Sequence, residues 1–506
     1  MKNPAHRVIF LILGAFLVTG MILCAGCTSA GTQKNTDRLD GFDDIVTAKM
    51  AKYEVPGAVV GIVENDTVVY LKGFGVREIG MPEKVDPDTR FQIASISKYF
   101  TAVATGTLVE EGKLDWDTPV VTYLPDFALN DAYAGEHTTL RDLFAHRTGL
   151  GNHDGDLLGR LGYSNKEMLE RMRYLMPDAG FREKEQYSNA GYFIVGEVAA
   201  AADNRSWEDL TDARVINPLN MTRSGTHYDT LYLDDNRYTG HWATPRGTEI
   251  IAHETATFPA AGQVVSTGRD MTQFMRMILN RGSIDGKQVL APKTVAAINA
   301  ASFVITGHPD DPKDPYTLRA SGFGCDSFTY LGERVVEKNG GLLGVNSQVA
   351  LVPERNIGIV VIANKHTTPF PEAVQAEFLE RYIGKSELDQ QIRIKKIEAM
   401  FTEGLKPPNP PANPGPATIA PSAIAGYYSS DLYGILQISA GADDGNMTFV
   451  LGPGRHPGNL QYWTNDTWYL YFPDPTDSNN LVTFITEPSG SVTSMVSDDL
   501  DSFTRV

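Results

Sequence analysis

Seven of the sixteen residues from Lys406 to Pro421 are proline, and no other stretch constrains the fold as strongly. Proline lacks the N–H that a helix or central strand needs and fixes its own φ. The segment is therefore stiff, extended and excluded from any core element. It divides the chain. Residues 386–421 read as a helix and Pro-rich linker, with a large unit at 40–385 before it and a small one at 422–506 after it. A chain of 506 residues is long for one hydrophobic core, so two units are also what its length predicts.

In the large unit, Val59–Val63 and Val68–Gly75 are β-rich runs separated by Asn65-Asp66, the signature of a tight hairpin. A second pair lies far downstream, where Gln348–Val352 and Ile357–Asn364 flank Pro353-Glu354-Arg355-Asn356, with a further strand predicted over Tyr330–Glu337. Joining both ends in one antiparallel sheet is the simplest arrangement. Between them, amphipathic stretches at Ile96–Glu111, Lys166–Tyr174 and Met271–Asn280 predict helices. The expected fold class is α+β: an antiparallel sheet flanked by helices, with a helical insertion. Beyond the linker, the runs Gly434–Ile438, Trp468–Tyr471 and Val482–Ile485, punctuated by Gly, Asn and Asp, predict a small all-β, barrel-like domain. Its aromatics Tyr462, Trp463, Trp468, Tyr469 and Tyr471 are assigned to the core rather than to a ligand cup, with a lid or substrate-gating role left open.

The N-terminus has a different character. Lys2, His6 and Arg7 precede an apolar run from Val8 to Ala25, the pattern of an export signal. It ends in Leu23-Cys24-Ala25-Gly26-Cys27, which resembles the lipobox of prokaryotic lipoproteins. Residues 1–27 are read as this signal or lipoprotein segment, with Cys27 as the lipidation site, and 28–39 as a polar tether. An uncleaved anchor helix is the alternative, since the run is close to the length that spans a bilayer. Either way the body lies outside the cell membrane, which it meets only through this anchor. A net charge of −18 repels phosphate backbones, so nucleic acid is not an expected partner. Oligomeric state leaves no trace in the sequence.

A serine hydroxyl attacks a carbonyl only when a neighbouring base takes its proton. Ser95-Ile96-Ser97-Lys98 supplies one: in a helix starting at Ser95, positions i and i+3 share a face, and the helix N-terminus favours a developing oxyanion. The apolar neighbours Phe91, Ile93, Ile96, Tyr99 and Phe100 bury this helix, which is what a lysine needs if its pKa is to fall far enough to act as a base. Ser-x-x-Lys alone is a common pattern. So are Tyr187-Ser188-Asn189, which reads as a turn, and Lys338-Asn339-Gly340-Gly341, which reads as a hairpin end after the predicted strand. Their order along one chain gives them weight together.

In these three motifs the chain resembles the serine β-lactamase and penicillin-binding-protein superfamily, and within it the class C branch. Phe91–Lys98, Thr139–Leu150 and Ala260–Thr267 look like recurrent segments of that branch. The likeness covers roughly 40–385, and the tail resembles the lipocalin-like domain attached to some members, at Gly426-Tyr427-Tyr428 and Asp501–Val506. The resemblance implies a serine hydrolase acting through an acyl-enzyme. Ser95 is the nucleophile, with Lys98 and Tyr187 sharing the proton work and Lys338 holding the electrostatic field and a substrate carboxylate. It further implies an oxyanion hole from the backbone N–H groups of Ser95 and Gly341, and substrate contacts from Asn189, Asn339 and Gly340. No metal or other cofactor enters this chemistry.

The superfamily's Lys-Thr-Gly is here Lys338-Asn339-Gly340, so the hydroxyl that helps bind a terminal carboxylate is missing. The substrate expected is therefore a small peptide, amide or ester, open between carboxypeptidase, β-lactamase and esterase chemistry. The alternative is a penicillin sensor or cell-surface peptide-binding protein that does not turn over. Cys325, the one cysteine past the N-terminal segment, reads as a small buried apolar residue. His146, His153 and Asp154 lack metal-ligand spacing and read as a loop at the active-site rim.

Overall fold

The computed structural model describes residues 38–506 except 245, 254–255, 307–315, 386–393, 396–397, 400–409, 442–445, 474–478 and 498–499. The signal segment, Cys27 and the tether up to residue 37 lie outside the described residues. No helix among those described is long and apolar enough to cross a membrane.

The Asn65-Asp66 turn forms as its sequence requires. Both residues take left-handed backbone, φ 49° and 64°, which matches the twist of the strands it joins. Those strands are β1 (Gly57–Glu64) and β2 (Thr67–Gly75). The other six sheet strands are β3 (Phe303–Thr306), β4 (Tyr316–Ser321), β5 (Asp326–Tyr330), β6 (Glu333–Leu342), β7 (Val345–Val352) and β8 (Ile357–Ala363). They form one antiparallel sheet in the order β2-β1-β8-β7-β6-β5-β4-β3, so the two ends of the unit meet where β1 pairs with β8, Ala58 opposite Ala363.

Every residue of β1, β7 and β8 is buried, because helices cover both faces of the sheet. On one face lie α1 (Phe42–Tyr53) and a helix near the end of the unit, Phe370–Tyr382, whose Phe42, Val46, Val374 and Phe378 pack on Val60, Ile62 and Val361. The other face carries the insertion, in which α2 (Ser97–Glu110), α3 (Asn189–Asp203) and α4 (Gly268–Leu279) share a core with Val59, Val349 and Ile362.

The predicted strand at 330–337 is displaced: Tyr330 ends β5, and β6 runs from Glu333 through the Lys-Asn-Gly-Gly segment to Leu342. That segment is strand rather than hairpin end. The reason is tertiary, because β7 pairs with this strand from Val336 through Leu342, beyond Glu337 where its pairing with β5 ends.

After residue 410 the described end of the proline segment runs along the C-terminal domain, where Gly415 and Thr418 bond to Thr464 and Asp466. Eight strands then close a barrel in simple sequential order, the last, Phe503–Arg505, returning to the first, Gly426–Ser430. Closure removes the sheet edges that an open sheet would expose. Tyr428, Phe449, Trp468, Leu470, Phe484 and Phe503 fill the interior. Of the five aromatics assigned to the core only Trp468 is fully buried. Trp463, Tyr469 and Tyr471 lie half-exposed, with ring centroids 5.5 and 5.6 Å apart along the row. A barrel strand alternates inside and outside, so Tyr469 and Tyr471 flank the inward Leu470 and cannot share its side.

The barrel docks on the insertion. Tyr163 donates to the carbonyl of Tyr433 at 3.1 Å, Arg171 to that of Leu432 at 2.9 Å, and the Gly454 N–H to the carbonyl of Leu161 at 2.7 Å.

Candidate active site

Between Phe91 and Phe100 every residue is buried except Ser95. The reason is local: Ala94 takes a left-handed φ of 49° and begins a short 3₁₀ turn, Ala94–Ile96, that leads into α2. A non-glycine residue there costs on the order of 1–3 kcal/mol. The corner turns one side chain out of an otherwise buried run.

Lys98, one turn on, is fully buried. Its ammonium donates to Ser95 Oγ at 3.1 Å, to Asn189 Oδ1 at 2.7 Å and to the carbonyl of Ala261 at 2.9 Å, which employs all three hydrogens. Burial holds its pKa below the ordinary lysine value; Tyr187 opposes that shift and Lys338 adds to it.

Tyr187 Oη lies 2.8 Å from the same serine oxygen. Burial alone would raise its pKa, but the cations Lys98 and Lys338 outweigh burial and hold it below the usual phenol range. The segment carrying Tyr187 is clamped by His146, whose carbonyl accepts from the Gln186 N–H at 2.8 Å and whose Nδ1 accepts from the Ser188 N–H at 3.0 Å. Burial keeps this imidazole neutral, far below its ordinary pKa, as an accepting Nδ1 requires. Ser188 then caps α3 by accepting from the Gly191 N–H.

Asn189, the first residue of α3, is engaged at both ends of its amide. Its Oδ1 receives Lys98, and its Nδ2 donates to Asp156 Oδ2 at 2.7 Å. Asp156 also holds His153 Nδ1 at 2.8 Å. The expected substrate contact thus also fixes the lysine in place.

β6 brings the third motif. Gly340 passes so close to the serine turn that a Cβ on it would stand 2.5 Å from the Ile93 carbonyl and 2.8 Å from the Ser95 nitrogen. Only glycine fits, and the close approach sets Gly341 beside Ser95. Lys338 is buried, its Nζ 5.1 Å from the centre of the Tyr187 ring and 3.9 Å from Asp326 Oδ2. Asn339 is exposed in the cleft.

Together these residues line an open cleft of about 520 Å³ whose wall includes Ser95, Tyr187, Asn189, Lys338, Asn339 and Gly341. That is the size of a small-ligand site. His153 stands at its rim, while Asp154 turns back to accept from the Gly151 N–H. No group of His, Cys, Asp and Glu able to hold a metal occurs among the described residues. Cys325 is buried and its thiol pKa is pushed far up by burial, the opposite of a nucleophile.

The quoted segments supply the supports. Thr139 and Asp142 form a capping box, and Asp142 anchors Arg147 and Arg182 around His146. In Ala260–Thr267, the Ala261 carbonyl receives Lys98 and the Val264 N–H donates to Ser97 Oγ at 2.9 Å. Sequence reasoning missed Asp156, Glu185, Arg319 and Asp326, all placed at the site by tertiary contacts and carrying no motif.

A central antiparallel sheet covered by helices, with Ser-x-x-Lys at the mouth of a buried helix facing Tyr-x-Asn and Lys-x-Gly, is the architecture of serine-hydrolase-like penicillin-recognising proteins. The β-lactamase family model matches residues 42–382, and the chain belongs to this family. Its relatives are distant. Unguisins hydrolase ungD of Aspergillus violaceofuscus is 23% identical over 81% of this chain and 78% of its own length. Protein flp of Staphylococcus aureus is 25% identical over 68% of this chain and 66% of its own length. The octameric penicillin-binding protein homologue from Pyrococcus abyssi shares the fold, with a TM-score of 0.60 at 20% identity, over 92% of this chain and all (100%) of its own.

Proposed function

We propose that this chain is an exported serine hydrolase that acts through a covalent acyl-enzyme on a small peptide, amide or ester. The observation that carries the reading is the double hold on one oxygen: Ser95 Oγ is 2.8 Å from Tyr187 Oη and 3.1 Å from Lys98 Nζ. Burial, with help from Lys338, pulls the Lys98 pKa down, and the charges of Lys98 and Lys338 pull that of Tyr187 down against its burial, toward the range where one of them is a free base.

In this mechanism Ser95 Oγ bonds to the substrate carbonyl carbon as its proton passes to the Lys98–Tyr187 pair. The carbonyl electrons move onto oxygen, where the N–H groups of Ser95 and Gly341 receive them. Collapse breaks the bond to the leaving amine or alcohol, which takes up the proton. Water then repeats the sequence on the acyl-enzyme, releasing the acid and restoring Ser95. Export and anchoring, by lipid on Cys27 or by an uncleaved helix, belong to the same proposal and rest on the N-terminal sequence.

The test is hydrolysis of a p-nitrophenyl ester by the chain from Thr28 onward, alongside Ser95→Ala. Many turnovers per chain, lost in the variant, are expected. A single equivalent of product would favour a sensor, and equal rates in both proteins would remove Ser95 from the chemistry.

A further inference from the structure

The wall of the cleft beyond Ser95 carries charges that the mechanism does not use. Lys338 is 3% exposed, and the carboxylate of Asp326 on the adjacent strand β5 stands 3.9 Å from its Nζ. The pairing follows from register: Asp326 sits opposite Glu337, one residue from Lys338. Arg319, half-exposed on β4, approaches the same carboxylate at 3.7 Å. Glu185 lines the same cleft. Among the described residues this end of the site therefore holds two cations and two carboxyl groups, and the buried cation Lys338 already faces an anion.

We infer that Asp326 occupies the charge of Lys338 as a substrate carboxylate otherwise would, which makes the cleft selective for acyl donors with no carboxylate beside the scissile bond. The inference rests on the hydrolase reading above. A carboxylate entering here must displace Asp326 from Lys338 or lie against it, and like charges brought together in a partly desolvated site repel. Water shields little of this, because the Asp326 side chain is only 15% exposed. Asn339 strengthens the selection. It presents a neutral amide to the cleft, able to bond an amide or ester group and carrying no charge to offset an anion. Glu185 acts in the same direction: burial raises its pKa first and Asp326 adds to the rise, so this end of the cleft already resists another negative charge. Among the described residues Arg319 is the one cation on this wall with substantial exposure, and the test isolates it.

The test compares two thioesters of an N-acylglycine with a thioglycolate leaving group. One has its carboxylate free and the other has it capped as the methylamide. Thiol release reports cleavage of the same bond in both. The wild-type chain is expected to favour the capped compound in kcat/KM by about tenfold or more, and Asp326→Asn to move that ratio toward the free acid by a similar factor. Arg319→Ala is expected to leave the wild-type preference in place. A wild-type preference for the free acid, measured without any variant, overturns the inference, as does an Asp326→Asn ratio equal to wild type. Release of thiol from neither compound by the wild-type chain is a different result: it removes the hydrolase reading, and the inference falls with it.

Discussion

Replacing Lys338 by Met tests the electrostatic logic of the site without first deciding whether Lys98 or Tyr187 is the base. Lys338 lowers the pKa of both. Its Nζ lies 5.1 Å from the centre of the Tyr187 ring. At an effective dielectric constant near 20, a unit charge at that distance is worth about 3 kcal/mol, or roughly two pH units. Asp326, 3.9 Å from the same ammonium, offsets part of this, so a shift of about one unit is expected. The sign is fixed. Removing a cation destabilises a tyrosinate and relieves repulsion on a lysine ammonium, so both pKa values rise. A base must be deprotonated to act, and the acidic limb of kcat/KM against pH therefore moves upward. At neutral pH the variant loses about tenfold and recovers toward wild type at alkaline pH. The substrate should be an uncharged ester, so that no lost contact with substrate charge enters the profile. Lys338→Arg keeps the charge and should leave the limb in place. A limb that stays fixed in Lys338→Met, or moves to lower pH, would refute the account in which Lys338 tunes the base.

Other expectations follow from single contacts. Ser95→Ala should abolish turnover and leave the thermal midpoint nearly unchanged, since the half-exposed hydroxyl contributes little to the core. Gly340→Ala places a methyl 2.5 Å from the Ile93 carbonyl, and should cut kcat by pushing β6 away from the serine turn while circular dichroism still shows a folded chain. Asp142→Asn breaks a fully buried carboxylate away from Arg147 and Arg182, at a cost of about 3 kcal/mol in urea unfolding at neutral pH. Burial acts to raise the pKa of Asp142, and the bonds from Arg182 and Thr139 outweigh it and hold the value below the ordinary one. Its stabilisation is thus present above the unfolded pKa of about 3.9 and lost as pH falls through the folded value, so the difference between variant and wild type should shrink in acid. Tyr433→Ala removes a buried ring where the barrel meets the insertion. It should lower stability by about 3 kcal/mol and reduce kcat, because the segment it braces leads back to Asp156 and His153, whereas Trp463→Ser on the outer face should do neither.

What the sequence reveals about this chain separates by the range of the interaction. Ser95 and Lys98 were legible because a base within reach of a hydroxyl imposes a spacing of one helical turn, and the apolar run around them marks the helix as buried. The hairpins at 57–75 and 345–363 were legible for a similar reason, since turn chemistry and alternation are local. The extension of β6 through Lys338-Asn339-Gly340 was not. Glycine after a strand ordinarily signals its end, and the strand continues here because β7 pairs with it through Leu342 and because Gly340 lets it pass close to the Ser95 nitrogen. The outer row of Trp463, Tyr469 and Tyr471 escaped because both faces of those barrel strands carry apolar residues, which erases the period of two that would have sorted them. Asp326 is the most informative omission. Nothing within ten residues of Lys338 marks it as a partner. It reaches the lysine only through the register of β5 against β6, with Asp326 opposite Glu337. The Ser95–Lys98 pair is thus encoded at short range, whereas the charge that we infer selects the substrate depends on strand pairing. It follows that motif matches carry the chemistry from one member of the family to another but leave the choice of substrate to residues like Asp326.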